Sequence, residues 1–156
     1  MTTEQRDPVT LYVRPVAAVM AQVAEIVASQ GIPCQVYGGT NMDGFAAKVA
    51  TALTQSGGRP AAVVCFGHSV FGNHPRRTTY LNVVVVSSDT RPSPGMPGAI
   101  EAAWAIEGAL DRLVTQDTSG ECPQTDLFEV DSEEGLSLKD AGAACAVAIS
   151  LTVKDY

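Results

Sequence analysis

The sequence predicts an α+β fold, in which a mostly antiparallel sheet of about four to five strands is flanked by two to three helices. Three observations favour this fold. Apolar residues recur at helical spacing in three segments, β-branched residues are concentrated in short runs, and hairpin-like polar connections separate several of these runs. The 156 residues have the length of one ordinary domain. We expect an extended N-terminal arm over residues 1–14 and one α/β domain over residues 15–156.

Three amphipathic helices are predicted. The first begins at Pro15 and ends at Gly31, because proline suits the first turn of a helix and glycine its end. The second begins at Asn41 or Asp43, either of which can cap it, and ends before residues 57–58. The third covers residues 99–115. The buried stripes are expected to be Val16, Val19, Met20, Val23 and Val27; Phe45, Val49, Ala52 and Leu53; and Ile100, Ala103, Trp104, Leu110, Leu113 and Val114.

The strands are predicted from β-branched runs and from alternation of apolar residues. Valines occupy positions 83 to 86 without interruption, which indicates a central strand covered on both faces. Residues 67–78 are interpreted as a long polar loop, residues 91–98 as an irregular proline-rich segment, and residues 131–135 as an acidic turn. The predicted strands are Ala61–Phe66, Thr79–Ser87, Leu127–Val130 and Ala143–Val153, and Cys34–Tyr37 is interpreted as a strand or a strand-like loop.

Charge and cysteine spacing exclude several classes of function. The formal net charge of -7 gives a field that repels a phosphate backbone, so we do not expect stand-alone binding to nucleic acid. The four cysteines form no C-x-x-C pair, which disfavours a zinc site. No signal-peptide pattern or membrane-length apolar run is found, so we expect a chain made in a reducing cytoplasm and no membrane partner.

The closest approach to a catalytic motif is Gly67-His-Ser-Val-Phe-Gly72. It differs from the G-x-S-x-G elbow of serine hydrolases because phenylalanine stands where the second glycine is needed, and because a strand rather than a helix is predicted to follow. Both histidines, His68 and His74, lie near this serine, but no acidic residue occurs between Asp43 and Asp89 to orient them. We therefore expect no catalytic residue, no cofactor and no metal.

Two charged groups are candidate assembly contacts. Arg76 and Arg77 lie beside His74 and form the only basic cluster in this acidic chain, and arginine is enriched in protein interfaces. The acidic group comprises Asp131, Glu133 and Glu134. The alternative interpretation is that both groups are solvated surface.

The order of segments resembles the tail-terminator family, a minor tail protein family of Mu-like contractile-tailed bacteriophages. The resemblance covers about residues 15 to 153. It is carried, in order, by the helix ending Val-Ala-Ser-Gln-Gly31, by Phe45-Ala-Ala47, by Arg59-Pro-Ala-Ala-Val-Val-Cys-Phe-Gly67, by Asn82-Val-Val-Val-Val86, by the helix from Ala102 to Leu113, by Glu129-Val-Asp-Ser-Glu-Glu-Gly-Leu136 and by Ile149-Ser-Leu-Thr-Val153.

The resemblance implies a structural virion protein with no enzymatic activity. Such a subunit forms a hexameric ring that caps the tail tube, stops its polymerisation and forms the joint to the head. The implied partners are copies of the chain itself, the tail tube protein, and sheath and neck or head-completion proteins, with DNA only passing through the lumen. The implied location is the tail and neck of a virion assembled in the host cytoplasm.

Two other functions stay open at this point. One is another neck or head-closure connector of the same particle, which would have the same composition. The other is a small hydrolase that uses Ser69 as its nucleophile. The position of the protein in a particle distinguishes the first alternative from a tail terminator. The biological activity of a Ser69→Ala variant distinguishes the second alternative from both.

Overall fold

The computed structural model describes residues 14–88, 92–93, 96–117, 124–138, 142–143 and 145–156. The predicted N-terminal arm lies outside these residues, except for Arg14. In the described part, no helix has both the length and the apolar character needed to cross a membrane. In chain order the elements are α1 (Val16–Ser29), β1 (Cys34–Tyr37), α2 (Met42–Ser56), β2 (Ala61–Phe71), β3 (Arg77–Ser87), β4 (Pro92–Ser93), β5 (Met96–Pro97), α3 (Gly98–Leu110), β6 (Val114–Asp117), β7 (Gln124–Leu136) and β8 (Cys145–Asp155).

Six of the described strands form one sheet in the order β1-β2-β3-β8-β7-β6. The β1–β2 pair is parallel and the other pairs are antiparallel. The fold is therefore α+β with a mixed sheet, as predicted in outline, but the predicted count of four to five strands is wrong. The missing strand is β6, whose polar sequence Val-Thr-Gln-Asp gives no apolar alternation.

The two faces of the sheet are covered unequally. Helices α1 and α3 pack on the first face, here called the covered face, where Val64, Val83 and Ile149 are fully buried. Helix α2 packs on the second face, here called the half-covered face, and buries Val63 and Val86 at one end of it. At about 25 cal/mol per Å² of apolar surface, this burial on two faces is the main stabilising term. The uninterrupted valines of β3 are buried on both sides, as predicted.

The helices agree with the prediction in α1 and α2 and differ in α3. Asn41 caps α2 by accepting a hydrogen bond from the backbone N–H of Gly44 at 2.6 Å, and the expected stripe of α2 is buried. Helix α3 ends at Leu110 instead of Thr115, because the backbone reverses at Arg112, where φ is +64°, and β6 then begins. Two residues of the predicted stripe, Trp104 and Val114, are exposed.

Three predicted connections are wrong. Most of the predicted loop 67–78 is strand, because β2 continues to Phe71 through a bulge at Gly67, which leaves residues 72–76 as the turn. The predicted acidic turn 131–135 belongs to β7, and a register shift between Val130 and Ser132 lets this charged segment continue the ladder with β8. Within the proline-rich segment, Pro92–Ser93 pairs with Met96–Pro97.

The bulge at Gly67 gives a test of the β2–β3 register. A Cβ atom at Gly67 would lie 2.7 Å from the backbone oxygen of Tyr80, so we expect Gly67→Ala to lower the free energy of unfolding by about 1–3 kcal/mol. At Gly135 of β7 an added Cβ meets no atom within 4 Å, so Gly135→Ala is the matched control, with an expected change within about 0.5 kcal/mol. Denaturant titration of both variants measures the difference. Equal losses would contradict the register.

Candidate functional site

Four charged side chains meet on the covered face, at the end of the sheet near the start of α1. Arg77, Asp155 and Asp126 lie on three adjacent strands at the same level, because the register pairs Arg77 with Asp155 and Asp155 with Asp126. Arg14, which precedes α1, supplies the fourth charge. The side chains of Arg77 and Asp155 are only 5% and 1% exposed. Two arginines and two aspartates therefore meet in a site largely removed from water.

The contacts within this buried charge cluster tie the chain before α1 to the sheet. Arg77 Nη2 lies 2.8 Å from Asp155 Oδ2. The guanidinium of Arg14 forms an ion pair with Asp126, and the Arg14 backbone N–H donates to Gln124 Oε1 at 3.1 Å. The prediction that Arg77 is an exposed docking residue is wrong, because its charge is used inside the domain.

The carboxyl group of Asp155 is the titrating member of this cluster. Burial raises the pKa of Asp155 to about 7, and the neighbouring Asp126 acts in the same direction by accepting a hydrogen bond and by its charge. The guanidinium groups of Arg77 and Arg14 lower this pKa in part. Asp155 therefore takes up a proton on folding over a range in which an exposed aspartate is ionised.

A second group of acids lines an open pocket of about 530 Å³ between α3 and β7. Burial raises the pKa of Glu107 to about 7, with further contributions from a hydrogen bond to Glu133 and from the charges of Glu133 and Asp111. Trp104 Nε1 donates to Glu133 Oε1 at 3.3 Å. In the described ranges no group of three or more histidine, cysteine or acidic residues has an arrangement suited to a metal ion.

The predicted assembly residues occupy two separate places. His74 is exposed and Arg76 half-buried in the turn between β2 and β3, where the Arg76 guanidinium donates to the backbone oxygen of Tyr156. The acidic residues Asp131, Glu133 and Glu134 are exposed on β7. The two places are separated by about seven residues along the strands, which corresponds to about 20 Å. The structure therefore does not bring the basic and acidic groups together within one chain.

Exposed apolar residues on the β2–β3 hairpin were not predicted. Phe66, Val70 and Phe71 are 40%, 53% and 62% exposed, and the ring of His68 stacks on Tyr80 with centroids 4.4 Å apart. The sequence contained the signal, because Val70 and Phe71 stood in a segment interpreted as a polar loop and Phe66 ended the strand before it. Apolar side chains that stay in water on a hairpin are typical of a surface that meets another protein.

Each edge of the sheet is covered over only part of its length. Strand β1 pairs with Ala62–Cys65 of β2, so no described strand pairs with the outer edge of Phe66–Phe71. Strand β6 pairs with Gln124–Leu127 of β7, so Asp131–Leu136 likewise has no described strand on its outer side. We call these six-residue segments the β2 notch and the β7 notch. They lie at diagonally opposite corners of the sheet, because β1 covers one end and β6 the other.

The candidate nucleophile Ser69 is held in a structural contact. Ser69 Oγ lies 3.2 Å from Thr79 Oγ1, and the register places Ser69 and His68 on opposite faces of the sheet. His68 is therefore not directed at the Ser69 hydroxyl. Burial raises the pKa of the Cys34 thiol to about 12, which keeps it protonated at neutral pH.

Comparison with known proteins assigns no family. No protein-family model matches the chain, and no curated protein matches it significantly.

The raised pKa of Asp155 gives a pH test. Since the folded pKa of about 7 lies above the ordinary value of 3.8, the stability that this group contributes is present at low pH and is lost as pH rises toward 7. Each unit of pKa difference corresponds to about 1.4 kcal/mol. We expect the free energy of unfolding to fall less steeply between pH 5 and 8 in Asp155→Asn than in the wild type. Glu107 contributes with the same sign in both proteins, so equal slopes would contradict the assignment to Asp155.

Proposed function

We propose that this chain is a structural virion protein, a tail terminator whose copies form a ring on the end of the tail tube of a contractile-tailed bacteriophage. The ring stops tube polymerisation and forms the joint to the head. The order of segments that resembles the tail-terminator family supports the proposal. An α+β subunit with apolar side chains exposed on one hairpin is also consistent with it.

The observation that carries the proposal is the pair of open notches on one sheet. A subunit that polymerises in a ring needs two different surfaces, one for each neighbour. The β2 and β7 notches are different in sequence and lie at opposite corners, and both leave backbone groups without a strand partner among the described residues. Unpaired sheet edges in a monomer are templates for pairing with another chain.

The charge of the chain suits a ring around passing DNA. A net charge of -7 per copy gives a wall that repels the phosphate backbone, so DNA passes through the lumen without binding. The proposed partners are copies of the chain, the tail tube protein, and the sheath and neck or head-completion proteins. A hexamer is the ring size implied by the resemblance.

The test is to image particles from cells that carry or lack the reading frame of this protein. Without it, we expect tails of irregular and excessive length that are not joined to heads, because nothing stops tube growth. Re-expression of the wild-type chain should restore uniform tails, and Ser69→Ala should restore them equally well.

Two other outcomes would contradict the proposal. Uniform tails that remain separate from filled heads would assign the chain to a head-closure connector instead. Normal particles without the protein would exclude a role in the virion, and loss of rescue by Ser69→Ala in a stably folded protein would favour the hydrolase.

A further inference from the structure

We infer that His68–Phe71 of the β2 notch of one copy pairs with Glu133–Leu136 of the β7 notch of a second copy, and that Phe71 of the first enters a pocket beside Gly135 of the second. This inference rests on the proposed function, because it names the contact that joins neighbours in the ring.

The two notches have matched lengths and compatible directions. Each comprises six residues, Phe66–Phe71 and Asp131–Leu136. When like faces lie together, Phe71 pairs opposite Glu133 and His68 opposite Leu136, so Phe71 is a diagonal neighbour of Gly135. Strands β2 and β7 are antiparallel to one another in the sheet, because three antiparallel pairings separate them. A second copy that is displaced diagonally, and turned by the rotation that closes the ring, therefore presents its β7 notch antiparallel to the β2 notch of the first. Main-chain hydrogen bonds can then continue the sheet from copy to copy.

The diagonal displacement also avoids collision between the short edge strands. Strand β1 covers the end of the sheet where β7 is open, and β6 covers the end where β2 is open. When the β7 notch of the second copy lies beside the β2 notch of the first, its β6 lies beyond the end of the first sheet. The same displacement keeps the β1 of the first copy clear of the second.

The covered face supplies the apolar part of the contact. Phe71 lies on this face, because the register places it opposite the buried Arg77. On the same face of β7, Gly135 has no side chain and borders an open pocket of about 310 Å³. The pocket is lined by the apolar side chains of Ile100, Trp104 and Val147 and, on the β7 side, by Glu133 and Glu134. A phenylalanine that is 62% exposed in the single chain thus finds a cavity of suitable size and chemistry.

The half-covered face supplies charge complementarity. His68 and Val70 lie on this face of the β2 notch, and Glu134 and Leu136 lie on the same face of the β7 notch. All four side chains are exposed in the single chain. Pairing of the notches places the side chains of His68 and Val70 against those of Glu134 and Leu136. Two β7 notches would instead bring glutamates together, so pairing of a β7 notch with a β2 notch is favoured over pairing of β7 with β7.

The test uses one substitution in each notch. Gly135→Leu fills the pocket, and because an added Cβ at this position meets no atom within 4 Å, the variant should fold normally. Phe71→Ser removes the inserted ring from an exposed position. Met42→Ser is the matched control, because Met42 is 71% exposed and lies at the start of α2, outside the residues of both notches. Sedimentation of the full chain over a range of concentrations measures self-association, and thermal unfolding checks the fold.

We expect Gly135→Leu and Phe71→Ser each to weaken self-association at least tenfold, with no change for Met42→Ser. An equimolar mixture of the two notch variants is the decisive sample. One variant keeps an intact pocket and the other an intact Phe71, so the mixture should form a one-to-one dimer and nothing larger.

Three outcomes would overturn the inference. They are a wild type that stays monomeric at every concentration, notch variants that associate as the wild type does, and a mixture that stays monomeric although each variant is folded. The tests of contact and function can fail separately. If the chain self-associates through the notches but is absent from particles, only the proposed function is refuted. Normal rings in particles that carry Gly135→Leu would refute only the contact.

Discussion

The length mismatch between the central and edge strands is the constraint on which the rest of the structure depends. Strands β2, β3, β8 and β7 each extend over 11 or 13 residues, whereas β1 and β6 have four residues each. The long strands build the hydrophobic core, because valine, leucine and isoleucine alternate onto both faces. The short strands pair with four residues of each edge and leave the two six-residue notches open. Core and contact surface therefore come from the same four strands.

The buried charge cluster shows how one end of this sheet is held together. Removing four charges from water costs several kcal/mol per ion unless they are paired, and Arg77, Asp155, Asp126 and Arg14 lie close enough to compensate one another. Their alignment across β3, β8 and β7 requires the correct register of all three strands. A one-residue slip would move each side chain to the opposite face, so the cluster selects the register as well as contributing to stability.

The sequence was most informative where periodicity was strong. The buried faces of α1 and α2, the central position of β3 and the alternation of β8 were predictable because apolar residues there follow a helical or strand period over many positions. Strand β6 and residues Asp131–Leu136 of β7 were not predicted as strand. Their polar and acidic residues adopt strand conformation because of tertiary pairing, which composition does not reveal. Trp104 was assigned to the core on helical spacing, although it lies at the border of an open pocket.

The candidate contact surface was predictable only in part. The acidic residues Asp131, Glu133 and Glu134 were identified and lie on an exposed edge. Arg77 was misassigned because an arginine in a strand gives no local sign of a buried partner 78 positions away. The most informative positions, Phe71 and Gly135, carry no motif. Their importance depends on which face of the sheet each occupies, and a bulge at Gly67 sets that face for Phe71.

The most direct measurement of the central claim, that the open notches are the surfaces through which the chain acts, is amide hydrogen exchange of the wild type at concentrations below and above self-association. We expect amides in Phe66–Phe71 and in Asp131–Leu136 to become protected together, because strand pairing between copies forms hydrogen bonds at both notches at once. Protection confined to other segments, or unchanged exchange in both notches while the measured mass increases, would contradict this account.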